Sequence, residues 1–146
     1  MFKEFVAKKR YSFHKGFDDW RDAVRAACQP LVDEGVADEL YPKEIIKKVE
    51  ELGPYIVIAP NIAIPHAQEG LGVHDTAMCL MLTEEPVHFD PNDPEKDARI
   101  FVVLASVDNN VHLQNLSALS DSLSDEDLVA KLLEAKTPED LLKLED

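Results

Sequence analysis

Five histidines, at positions 14, 66, 74, 88 and 112, are the chain's chief chemical resource. An imidazole titrates near neutrality and serves as nucleophile, acid, base or metal ligand, so the setting of each ring decides its use. His66 ends the apolar run Asn61-Ile62-Ala63-Ile64-Pro65 and is followed by Ala67. Proline fixes its own φ and pushes the residue before it toward extended geometry. The ring should therefore emerge at the rim of a sheet, on stiff backbone, beside a small neighbour. Two readings stay open for it: a space-filling histidine bonded to a backbone group, or a reactive one.

His112 supplies a second ring. Asn109 or Asn110 is the expected cap of a helix, which places His112 in the first turn. His112, Leu116, Leu119 and Leu123 fall at i, i+4, i+7 and i+11, so the imidazole tops an inward stripe. A helix N-terminus favours an anion. Alone, such a ring is compatible with packing; paired with a second rim histidine, it suggests a cradle for a phosphate or carboxylate. His14 is expected near the surface at the end of a first strand. His74 and His88 lie in acid-containing, loop-like segments and are assigned no role. A zinc site from His66, His74 and His88 matches no recognised ligand spacing. GxGxxG, GxxxxGK, GxSxG and HExxH are all missing from the sequence, so no nucleotide, metal or other cofactor is expected.

The elements that must carry these rings are legible from periodicity. Trp20, Ala23, Val24, Ala27, Cys28, Leu31 and Val32 form one helical stripe within residues 17–34. Asp18 or Asp19 can cap it and Gly35 can close it, while Pro30 should kink it or split off its last turn. A second helix is expected over 41–52, stopped by Gly53-Pro54. The period then changes. "YIVIA", "NIAI", "TAMCLML" and "RIFVVLA" are strand-like and too uniformly apolar to have a wet face. "EEPVHFDPNDPEKD" reads as a surface loop with a small strand at 87–89. Helices follow, with Ser124 and Thr137 as caps and Pro138 at a first helical position. The order predicts a single α/β domain over 1–146, one sheet sandwiched between helices.

Composition narrows the function. The chain has 146 residues, 45% hydrophobic, and a net charge of −14. An acidic surface argues against nucleic acid and anionic membrane and suits a basic protein partner. Only residues 1–16 are basic, with five Lys/Arg against one acid; they read as an exposed first strand and its approach. No apolar run is long enough for a leader or a membrane span, so a soluble, cytoplasmic protein is expected. Cys28 and Cys79 lie in apolar stripes outside any CxxC pair and should be reduced core residues.

The segments "ELGPYIVIAPNIAIPHA" and "VDNNVHLQNL" resemble the EIIA domains of the bacterial sugar phosphotransferase system, of fructose–mannitol type, and most of all the ascorbate-specific branch. The likeness runs from the Trp20 helix to the C-terminal helices. It implies a mixed sheet flanked by helices. It also implies that His66 takes a phosphoryl group from the phosphocarrier HPr through Nε2 and passes it to a cysteine of EIIB, which serves the membrane transporter EIIC. His112 corresponds to the family's second active-site histidine. Members of the family often carry an arginine upstream of the Pro-His motif, where this chain has the lysines of "KKVEELG". The ascorbate branch has Arg-Pro after "PHA", where this chain has Gln68-Glu69. A regulatory EIIA-like module that moves no sugar is the alternative, and a metal-dependent hydrolase using His66 and His112 a third reading. The resemblance leaves a homodimer open.

Overall fold

The computed structural model describes residues 1–67 and 71–144. Helices α1 (Phe2–Ala7), α2 (Trp20–Glu34), α3 (Leu40–Leu52), α4 (Asn109–Ser122), α5 (Glu126–Glu134) and α6 (Pro138–Leu142) surround five strands. The strands are β1 (Tyr11–His14), β2 (Val57–Ala59), β3 (Asn61–Ala63), β4 (Ala77–His88) and β5 (Asp97–Ala105), in the order β1-β4-β5-β3-β2. β1 runs parallel to β4 and β3 parallel to β5, while β4/β5 and β2/β3 are antiparallel, so the sheet is mixed.

The uniformly apolar strands are explained by cover on both faces. Cys79, Met81, Phe101 and Val103 face one way, against Ala23, Ala27, Leu31, Tyr41 and Ile45 of α2 and α3. Leu80, Leu82, Val102 and Leu104 face the other way, against Phe2 and Phe5 of α1 and Leu119, Leu132 and Leu141 of α4, α5 and α6. Successive strand residues point to opposite faces, so along Cys79–Leu82 and Ile100–Leu104, which are covered on both faces, every position is apolar. The two cysteines are buried and free, and burial pushes the Cys28 thiol up to about 12, which leaves it inert.

Several local expectations are corrected. The N-terminus is not an extended approach to an exposed strand: residues 2–7 form α1, whose Phe2 and Phe5 are buried under the sheet. Only Tyr11–His14 is extended, at the sheet edge. Pro30 does not split α2, which runs unbroken to Glu34. Ala27, Cys28 and Leu31 are fully buried on both sides of the proline, and this packing holds the last turn in line despite the missing amide bond. The segment after Leu82 is not a loop with a separate small strand. β4 continues through Glu84, Glu85 and Pro86 to His88, with its register against β5 shifting between Leu82 and Val87. Two caps also differ: Asp108 rather than Asn109 or Asn110 caps α4, and Asp125 rather than Ser124 caps α5, whereas Asp19 caps α2 as expected. Thr137 caps α6 in a reciprocal capping box with Asp140, as expected.

The chain returning toward β4 is strapped to the α2–α3 turn. Val73 bridges Ala37, the His74 amide donates to the Val36 carbonyl at 2.7 Å, and the Asp38 amide donates to the Gly72 carbonyl at 2.8 Å. Gly72 has φ +77°, and a Cβ there would lie 2.6 Å from the Tyr41 amide nitrogen. Gly35 also has a positive φ, +85°, but no atom lies within 4 Å of its would-be Cβ. Gly72→Ala should therefore cost more than the strain of the left-handed conformation alone, of order 1–3 kcal/mol. Urea unfolding should show a larger loss for Gly72→Ala than for Gly35→Ala; equal losses would contradict the strap.

Candidate functional site

β3 and β5 run parallel, so their C-terminal ends meet at one edge of the molecule. His66 leaves that edge just after β3, and β5 leads through Ser106–Asp108 into α4. The backbone on both sides of His66 is tied down. The Leu104 amide donates to the Pro65 carbonyl at 3.0 Å. The Ala67 amide donates to the Tyr41 hydroxyl at 3.1 Å, and that hydroxyl donates to the Leu104 carbonyl at 2.5 Å. Tyr41 is fully buried, so a single phenol clasps the His66 segment to β5. The Tyr55 hydroxyl donates to the carbonyl of His66 itself, and its ring meets the imidazole edge-on at 5.3 Å.

The imidazole is fixed as firmly. Nδ1 of His66 lies 2.6 Å from the Ile64 carbonyl. A carbonyl only accepts, so Nδ1 carries the proton and donates. Nε2 is then the nitrogen with the free lone pair. The His66 ring is half-buried and lies 5.5 Å from the ring of His112, tilted by 48°. The structure thus brings together the two histidines that the sequence leaves 46 positions apart.

His112 is 3% exposed, and its Nε2 has no hydrogen-bond partner. Leaving a buried polar atom unpaired costs about 1–3 kcal/mol, so this nitrogen is a place where an arriving polar group would gain. The helix amides contribute less than the sequence suggests. The Asp108 carboxylate takes the amides of Asn110 and Val111, and the amide of His112 donates to the Asp108 carbonyl. With those amides taken, the unpaired polar group at this helix end is Nε2 of the His112 imidazole.

Both rings resist protonation. Burial lowers the pKa of His66, the Ile64 bond opposes that shift, and the proximity of His112 adds to it. Burial likewise lowers the pKa of His112. Two neutral imidazoles side by side can accept an electrophilic anion on one ring and, where the other presents its N–H, steady it there.

The remaining histidines lie elsewhere. Nε2 of His74 is 2.8 Å from Asp38 on the strap, Nδ1 of His88 is 2.8 Å from Asp97 at the far end of the sheet, and His14 packs on Phe17 at the β1 edge. Among the described residues no cluster of three or more His, Cys, Asp or Glu could hold a metal ion. Gln68 and Glu69 lie outside the described residues. Sequence reasoning missed Tyr41 and Tyr55 as residues of the candidate site: Tyr41 lies at an apolar helix position, and no periodicity announces that its hydroxyl bridges β5 and the segment after His66.

The family model described as "Phosphoenolpyruvate-dependent sugar phosphotransferase system, EIIA 2" matches residues 4–145. An ascorbate-specific PTS system EIIA component of Mycoplasma pneumoniae is 33% identical over 122 residues, 83% of this chain and 76% of the relative. The solution structure of the mannitol-specific cryptic phosphotransferase enzyme IIA of Escherichia coli superposes with a TM-score of 0.84 at 28% identity, over 97% of this chain and 95% of that one. The complex of enzyme IIA(Mtl) with phosphorylated enzyme IIB(Mtl) from Escherichia coli shares the fold, with a TM-score of 0.78 at 23% identity over 92% of each chain.

The depressed imidazole pKa values have a signed consequence. The folded protein holds both rings neutral where an unfolded chain, near pKa 6.5, binds protons. Their contribution to stability is therefore complete above about pH 6.5 and is lost as pH falls through the lower folded values. Imidazole NMR titration should give midpoints for His66 and His112 below about 6.5; a midpoint at or above that value for either ring would contradict the burial argument.

Proposed function

This chain belongs to the EIIA 2 family of the phosphoenolpyruvate-dependent sugar phosphotransferase system, a family of phosphohistidine carriers, and we propose that His66 is the residue that carries its phosphoryl group. The observation behind this reading is the bond from Nδ1 of His66 to the Ile64 carbonyl. It presents the Nε2 lone pair on a rigid mount, beside the unpaired Nε2 of His112.

The chemistry follows from that geometry. The Nε2 lone pair attacks the phosphorus of a phosphohistidine on the donor protein, HPr. The new N–P bond forms as the donor N–P bond breaks, and the donor ring leaves with the electron pair. Such transfers pass through a loose transition state, so the protein's task is in-line placement and stabilisation of the equatorial oxygens. The positive charge that His66 gains is shared toward Nδ1–H, whose bond to the Ile64 carbonyl strengthens accordingly. His112 donates to a phosphoryl oxygen and so fills its empty hydrogen-bond position. The half-exposed mount leaves the N–P bond open to a second attack, by a cysteine thiolate of EIIB, which returns His66 to its neutral state. EIIB in turn serves the membrane component EIIC. The chain itself acts in the cytoplasm; among the described residues no helix is long and apolar enough to cross a membrane. The sugar is ascorbate-like, a reading supported by the "GPYIVIAP" lead-in and by the ascorbate-specific Mycoplasma relative.

With phosphoenolpyruvate, enzyme I and HPr, the wild type should acquire one acid-labile phosphate and His66→Ala none. His112→Ala should remain folded and accept or pass on the group more slowly, by about 10²-fold, the cost of losing one transition-state donor. Acid-labile labelling of His66→Ala would overturn the assignment. Passage of label to an ascorbate-type EIIB, faster than to a mannitol-type one, tests the sugar class.

A further inference from the structure

On the part of the sheet away from His66, a cavity of about 250 Å³ opens between the end of β1, the middle of β4 and the end of α5. Phe13, Leu82 and Leu132 give it apolar walls. Three cations also line it, Lys15, Arg99 and Lys136, against one lining carboxylate, Glu84; of the three, Lys15 is paired at 4.0 Å with Glu85, outside the lining. That balance is unusual in a chain of net charge −14.

Arg99 is the distinctive member. It is half-buried on β5, where its Nε donates to the Thr83 carbonyl at 3.0 Å and its Nη2 to the Leu133 carbonyl at 3.1 Å. These bonds hold the guanidinium still but do not neutralise it. A guanidinium has five N–H donors, and Nη1 makes no hydrogen bond among the described residues. The chain's other arginines all have acid partners: Arg10 has Glu34, Arg21 has Glu50 and Arg25 has Asp22. Arg99 has none among the described residues, although the chain carries 29 acidic side chains.

We propose that this cavity binds a small organic monocarboxylate with an apolar body. Its carboxylate sits on the free side of the Arg99 fork, where planar geometry suits a two-oxygen anion. Lys15 and Lys136 flank the mouth, and the body lies on Phe13, Leu82 and Leu133. Apolar walls strengthen the charge pairing by excluding water. Arg99 stands five residues before Leu104 on β5, about 17 Å along the strand, so the occupant of this cavity does not touch the phosphoryl site and its binding is independent of the role given to His66.

The test is an amide NMR titration of the full, unphosphorylated chain with benzoate, with benzamide as the uncharged isostere and inorganic phosphate as an anion without an apolar body. Benzoate should produce saturable shifts at Leu82, Arg99 and Leu132, with benzamide and phosphate weaker by at least roughly tenfold. Lys15→Glu/Lys136→Glu, at exposed positions, should raise the benzoate Kd by at least roughly tenfold with an unchanged thermal midpoint. Arg99→Gln should do the same, and the lysine pair keeps the test sound if that variant loses stability. The proposal fails if benzoate shows no saturable shift at roughly 10 mM. It also fails if benzamide or phosphate binds as well as benzoate, or if the lysine variants leave the Kd unchanged. No phosphoryl donor is present, so failure here leaves the His66 assignment standing.

Discussion

The hydrogen bond from Nδ1 of His66 to the carbonyl of Ile64, two residues earlier, is the constraint on which the site depends. It selects the tautomer, orients the ring and leaves one nitrogen nucleophilic. A bond so local holds only if the backbone between its ends is rigid. Proline at 65 removes one torsion, and the Leu104 amide, the Tyr41 hydroxyl and the Tyr55 hydroxyl hold the Pro65 carbonyl, the Ala67 amide and the His66 carbonyl. The His66 segment, although it lies beyond the end of β3, is therefore tied to the sheet, and such fixed placement is what in-line chemistry at the proposed site requires.

The same arrangement makes the two imidazoles unlike each other. His66 is half open and has its spare ring nitrogen engaged with a carbonyl, whereas His112 is sealed and keeps an unpaired nitrogen. One is suited to bond formation and the other to holding what arrives. Asp108 sharpens that division by occupying the first amides of α4. A helix N-terminus that reads from sequence as an anion site is thereby turned into a scaffold for one side chain.

The sheet has two ends of different character. At the C-terminal ends of β3 and β5, two imidazoles whose pKa values burial lowers meet 5.5 Å apart. At the opposite end, Arg99 reaches across to β4 and α5 and remains without an acid partner among the described residues. The double-sided core separates them: Phe101 and Val103 bind β5 to one helical layer and Val102 and Leu104 to the other. Close packing along this strand keeps both ends rigid.

Much of this protein is local and so legible in the amino-acid order. Helix stripes, the αL glycine at 35, the Thr137–Pro138 start and the Pro-His rigidity depend on neighbours within a turn or two, and they appear where expected. Uniformly apolar strands foretold helices on both faces. Three features escaped because they depend on distant partners. α1 is six residues long and owes its place to burial of Phe2 and Phe5; Pro30 stays inside a helix because the core on both sides of it outweighs one lost bond; and β4 extends across acids and a proline because β5 continues beside it. The residue types by themselves pointed to both imidazoles as a candidate pair, and the structure places the two rings 5.5 Å apart. Only the tertiary structure decided which nitrogen is free, which ring is sealed and which tyrosines hold them, because those properties arise from contacts between segments that the chain order keeps apart.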